Sequence, residues 1–234
     1  MENPKTTPGY IFYDKDEKIN VPVMIDDSGN LCPYYFLKEG VFKQAAAYGS
    51  MYVDLYDCIK AIEYLITIYQ NPEVPKIVKT SLLFSSIVRY ARCFTEADGR
   101  GITLNEKDVF KGTKSELKDF HQKTYELRNQ YLAHAGVSDH ETIALVAILN
   151  PDLRNKKLEA IKGTIFRLMD DDSNINKYLD LYAHVAQHAF FKVKDLNPII
   201  MRKAKELSID TMYSELKVPQ RESLIPMDII TDLK

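Results

Sequence analysis

The sequence contains no tryptophan, only three cysteines, and no apolar run that approaches the length of a membrane span. A bilayer crossing by a helix needs about 20 consecutive apolar residues, so no such segment is expected. Cys32, Cys58 and Cys93 are scattered and form no C-x-x-C pair. That spacing argues against a disulfide framework or a structural zinc site and suits small buried hydrophobes in a reducing compartment. The opening "MENPKTTPGY" lacks the apolar core of a secretory signal, and a cytoplasmic location is the expectation by elimination. A G-x-x-x-x-G-K-[ST] phosphate loop is missing. "DGRGIT" carries Gly99 and Gly101 but no third glycine, and a helical rather than a strand pattern precedes it, which argues against a dinucleotide fingerprint. Ser85 and Ser86 in "LLFSSIV" have no G-x-S-x-G elbow around them. The net charge of −2 excludes a broadly basic surface of the kind that grips nucleic acid without regard to sequence, although a local basic patch is compatible with it.

What is present is an ordinary share of apolar and charged residues over 234 positions, with 15 tyrosines. Tyrosine offers a large apolar face with a polar tip, useful at a core edge or an interface. Residues 1–38 differ from the rest. "YIFY" and "INVPVMI" are strand-like, "DDSGN" is turn chemistry, and Pro22 suits an edge strand. The spacing predicts a β-hairpin or arm there. From Glu39 to about Gln70 apolar residues recur every three or four positions: Leu55, Ile59, Ile62, Leu65 or Ile66, and Tyr69. "NPEVP" breaks that helix. A second runs from about Pro75 to Phe94 with Ile77, Leu82 or Leu83, Ile87 and Tyr90 as its stripe, and "EADGRGITLNE" follows as a loop. A third helix starts near Thr113 or Ser115 and ends at "AHAG", with Gly136 placed as a cap. The β-forming run "TIALVAILN" and the returning "KLEAIKGTIFRLM" predict a β-hairpin at about 142–168. A long helix over roughly 173–193 comes next, with Pro198 expected to interrupt or re-angle it. Residues 211–234 read as an extended tail.

The fold class is therefore mainly α: an up-and-down helical bundle with an N-terminal β-arm and a β-hairpin inserted before the last long helix. The divisions are 1–38 for the arm, 39–210 for the helical domain and 211–234 for the tail. One metal-like spacing occurs in "DLYAHVAQH", where Asp180, His184 and His188 share a helix face. The outer two lie about 12 Å apart along the axis at 1.5 Å per residue, too far to share an ion. Asp180 and the two histidines read as a solvated face, and no metal or other cofactor is expected.

The third helix, "KSELKDFHQKTYELRNQYLAHAG", is more informative. Leu117, Phe120, Thr124, Leu127, Tyr131 and Ala135 form one apolar stripe at 100° per residue. Arg128 borders one edge of it and His134 the other, about 120° apart. Taken singly, Arg128 is a flank residue whose stem lies along apolar surface, and His134 a cation near a helix C-terminus. As a phrase, "LRNQYLAHAG" resembles the signature of the HEPN superfamily: an arginine, then a polar residue (Asn129), then a histidine after a short spacer. The preceding "SLLFSSIVRYARCFTEADGRGI" is similar to the helix and loop of that superfamily's abortive-infection branch. The resemblance covers about residues 40–195.

The resemblance implies a metal-independent endoribonuclease working as a homodimer, a defence or toxin-type effector held in check by a regulatory protein. Two motif helices would face each other across one cleft. RNA carries its own nucleophile, the 2′-hydroxyl. His134 would move protons, since imidazole titrates near neutral pH. Arg128 would hold phosphate oxygens through its planar fork, and Asn129 would orient one of them or donate to phosphate. Arg92, Arg89, Lys123 and His121 are candidate RNA contacts, His121 standing on the same flank as Arg128. The competing reading is a non-catalytic helical dimerisation or partner-binding module, favoured by the acidic balance and the many tyrosines.

Overall fold

The computed structural model describes residues 6–16, 19–38, 40–96, 100–132, 141–151, 157–167, 174–221 and 224–230. The protein is mainly helical. In chain order its elements are β1 (Thr6–Asp14), β2 (Ile19–Val23), α1 (Val41–Ile68), α2 (Lys76–Arg92), α3 (Glu106–Val109) and α4 (Ser115–Glu126). A π-helical segment (Leu127–Leu132), β3 (Glu141–Leu149), β4 (Leu158–Arg167), α5 (Ile175–Glu206), α6 (Ile209–Ser214) and β5 (Leu224–Ile230) follow. Among the described residues no helix is long and apolar enough to cross a membrane.

The chain divides into two compact units. One draws on both ends of the sequence, up to Gly49 and from Phe190 onward; the other spans Ser50–Ala189. In the first, β1 pairs antiparallel with β2, as the arm's sequence predicts. The expected extended tail from residue 211 is corrected here: α6 runs into it as far as Ser214, and β5 pairs antiparallel with β1, giving the order β2-β1-β5. "DDSGN" turns as read, with Asp26 Oδ1 accepting from the Ser28 and Asn30 amides and Gly29 at φ +80°, a value that glycine adopts without steric cost. Asp14, almost fully buried, accepts from the Tyr34 hydroxyl at 2.8 Å and from Lys217 Nζ at 3.0 Å. Burial, then that carboxylate, push the Tyr34 hydroxyl up to about 12, so it donates at any physiological pH.

The second unit holds the helical core. The periodicity of α1 is borne out: Leu55, Ile59, Ile62 and Leu65 are buried with Met51 and Cys58 between turns, while Ile66 is exposed. On α2 the buried members are Leu83, Ile87 and Tyr90, whereas Ile77 faces outward. The Cys58 thiol donates to the Ser86 carbonyl across α1 and α2, and the Ser86 hydroxyl meets the Tyr182 hydroxyl of α5 at 3.2 Å. The three cysteines are free; burial pushes the Cys93 thiol to about 12 and raises Cys58 as well, which leaves both thiols protonated and inert. β3 and β4 form the expected hairpin.

Two further expectations change. Pro198 does not interrupt α5, which runs through to Glu206. Both Pro198 and Lys194, whose carbonyl loses its amide partner, are exposed, and on the solvent side of a helix such a break is better tolerated than in a core. The third helix is α-helical only to Glu126 and then widens to a π-helix; the 100° per residue that set its stripe does not extend past Leu127.

Pairing with β5 gives β1 a neighbour on both sides. Truncating the chain after Arg221 should leave it as the edge of a bare hairpin, which is marginal in water. Amide exchange of Ile11 and its neighbours should then approach unfolded-chain rates, while α2 amides keep their protection.

Candidate active site

α4 begins without a side-chain cap, but Glu116 sits in its first turn, where a negative charge is favoured. Its buried face consists of His121 and Thr124, continued by Leu127. The Thr124 hydroxyl donates back to the Phe120 carbonyl at 2.8 Å, a bond that loosens and bends helices. It stands one turn before the widening at Leu127. π-helical turns are rare and concentrate at functional sites, and this one carries Arg128 and Asn129. α2 lies against both α4 and the π segment.

Arg128 is half-buried, as is Asn129. Arg128 Nη1 donates to Asn129 Oδ1 at 2.7 Å. Guanidinium has donors only, so the Asn129 side chain is oriented with its oxygen on Arg128. The remaining N–H groups of the guanidinium and the Asn129 amino group are the pair's other donors. Among the described residues no carboxylate pairs with Arg128. His134 and Gly136 lie outside the described residues, so the structure places Arg128 with Asn129 and goes no further along the motif.

The other candidate RNA contacts fare differently. Arg89 is ion-paired with Asp57 of α1. Arg92 Nη2 lies 3.9 Å from Asp54 Oδ2. The same carboxylate takes a 2.6 Å hydrogen bond from Arg100, which also donates to Ser50 Oγ at 3.1 Å. Arg89 and Arg92 thus have part of their charge engaged between α1 and α2, and no contact joins them to Arg128 among the described residues. Lys123 is exposed on the last turn of α4.

His121 is the clear correction. It is not a flank residue within reach of a cleft: its exposure is 0%. Its ring sits between Phe94 and Phe110, each with its centroid 4.7 Å away, and Nδ1 hydrogen-bonds the Tyr90 hydroxyl at 2.7 Å. Nε2 lies 3.3 Å from Glu106 Oε1 but is not aligned for a hydrogen bond. The carboxylate favours the tautomer protonated at Nε2, in which Nδ1 accepts from Tyr90. Burial lowers the His121 pKa, and Glu106 opposes that shift only in part. Glu106 comes from α3, an element the sequence reading passed over as loop. Its signal was Asn105, an N-cap whose side chain accepts from the Lys107 amide.

His184 is likewise no solvated residue. Its Nε2 donates to the Val109 carbonyl at 2.9 Å, and its ring stacks on Phe110 at 5.5 Å. Among the described residues no cluster of three or more histidine, cysteine or carboxylate side chains is arranged to hold a metal ion.

No family model matches the chain, and neither the curated proteins nor the solved structures provide a match.

The Arg100–Asp54 pair is the most enclosed ion pair described, with side-chain exposures of 12% and 14%. Asp54→Ala should cost about 3–5 kcal/mol by stranding a buried guanidinium. Asp57→Ala, which breaks a half-exposed pair, should cost about 0–1 kcal/mol. Urea midpoints at constant m-value check both.

His121 also makes stability depend on pH. Its folded pKa lies below the unfolded value of about 6.5. As pH falls through that value the unfolded chain takes up a proton that the folded chain refuses, so stability drops toward the folded pKa. The melting temperature should therefore fall from pH 7.5 to pH 5, and His121→Gln should flatten that part of the profile.

Proposed function

We propose that the protein is an endoribonuclease whose phosphate-binding element is the Arg128–Asn129 pair, with His134 as the proton-transfer group. The observation that supports this reading is the half-buried Arg128 guanidinium, braced by Asn129 on the π-helical segment. Arginines at 89, 92 and 100 lie against carboxylates, while Arg128 is braced by a neutral amide and among the described residues no carboxylate cancels its positive charge. A half-buried guanidinium in this state suits an anion with several oxygens, and a phosphodiester provides one.

The chemistry follows from the substrate. The 2′-hydroxyl of a ribose attacks the adjacent phosphorus, the bond to the 5′-oxygen breaks, and a 2′,3′-cyclic phosphate and a free 5′-hydroxyl result. Arg128 stabilises the extra negative charge of the phosphorane. Asn129 acts as a positioning residue, holding the guanidinium plane through Oδ1 while its amino group faces the same anion. One histidine cannot easily serve both the attacking and the leaving oxygen, so a second chain supplies the other His134. None of these steps calls for a metal ion.

Purified protein should cleave single-stranded RNA in the presence of EDTA. His134→Ala should lower the rate by about 10²–10⁴-fold and Arg128→Ala by about 10²–10³-fold, with unchanged melting temperatures. Arg128→Lys keeps the charge without the fork and should recover little. Full activity in the His134 and Arg128 variants, or no cleavage by the wild type over a panel of RNAs, overturns the reading.

A further inference from the structure

The β3–β4 hairpin is a two-stranded sheet. Its strands are nine and ten residues long, yet such a hairpin standing alone is barely stable in water. Its described outer half is apolar and exposed: Leu149 at 67% and Ile161 at 68%, with Ile148 and Leu158 also open to solvent. Along the outer edge of β3, none of the main-chain groups is bonded outside the hairpin among the described residues.

Open sheet edges invite pairing with another chain, and proteins commonly block them with proline or charge. Among the described residues every other edge strand carries such a block. β2 carries Pro22, β5 carries Pro226 and Asp228, and β4 carries Glu159 and Lys162. β3 from Thr142 to Leu149 contains neither proline nor charge. A further strand would complete this edge, and the chain's other described edges are the kind that refuse one.

We propose that the β3 edge is an interface between two copies of this chain, joining the hairpins into a four-stranded sheet ordered β4-β3-β3-β4 across a twofold axis. Antiparallel pairing of a strand with its own copy repeats the ladder already present between β3 and β4, so the main chain needs no new geometry. Over Thr142–Leu149, which carries no charge, the strand meets its copy without like-charge repulsion. The new sheet buries part of Ile148 and Leu149, and its outer edges are the β4 strands, whose charges stop further growth. This interface goes beyond the ribonuclease reading and does not depend on it.

The test measures mass and amide exchange, not cleavage. Analytical ultracentrifugation should give twice the mass of one chain at about 100 μM, and amides on the outer side of β3 should exchange more slowly as concentration rises. The double variant Ile148→Glu, Leu149→Glu should sediment as a monomer, lose that concentration-dependent protection and keep its circular dichroism, since both side chains are exposed in the single chain. Leu149→Glu alone should weaken association at least tenfold and covers the case in which the double variant does not fold. A wild-type monomer overturns the proposal. So does a dimer that withstands both sets of substitutions, or one whose β3 amides exchange freely.

Discussion

The hydrogen bond between the Tyr90 hydroxyl and His121 Nδ1 sets the rotation of α4 against α2. It lies among Phe94, Phe110 and Tyr182, all within 5.5 Å of one ring or the other by centroid. Water is excluded there, so breaking the bond would leave a buried donor and acceptor unpaired, the costly case. A helix held this way cannot roll freely. Rotating α4 to bring a different face inward would expose His121 and bury Lys123 or Glu126. The π segment inherits that fixed rotation, and with it the direction in which Arg128 emerges. The polar pair in the core thus controls the placement of a charge at its border.

The charge pattern has a similar logic. Arg89, Arg92 and Arg100 lie against Asp54 and Asp57, fastening α1 to α2 and to the chain that follows it. Opposite charges close together contribute little to the field at a distance, which agrees with a net charge near zero. Against this background an arginine neutralised by no described carboxylate stands out more than it would on a basic protein. Its local potential is not shared with a large positive surface, so binding there would be selective in position rather than general.

Much of the fold was legible in the residues. Local periodicity placed α1 and α2 to within about two residues, and runs rich in β-branched and other strand-forming residues placed both hairpins. What escaped was of two kinds. Polar residues in the core were read as surface, because histidine gives no apolar signal: His121 Nδ1 and His184 Nε2 are held by the Tyr90 hydroxyl and the Val109 carbonyl, partners 31 and 75 positions away. Long-range pairing was also invisible. Nothing in "SLIPMDII" names β1 as its neighbour, and Pro226 is compatible with the strand because β5 is an edge. Of the candidate site, the Arg128–Asn129 contact follows from adjacency in sequence, whereas the π-helical widening has no pattern that a 3.6-residue period would detect.

Joining the first strand to the last also orders events during synthesis. β2 can fold back on β1 as soon as both emerge from the ribosome, but β5 is translated some two hundred residues later. The nascent hairpin waits through the making of the helical unit with one flank open. Closure over so long a loop is slow compared with the local contacts of helices. β5 therefore acts as a latch that engages only after the helices before it have been made, and a ribosome stalled before β5 would hold a product whose first sheet is unfinished.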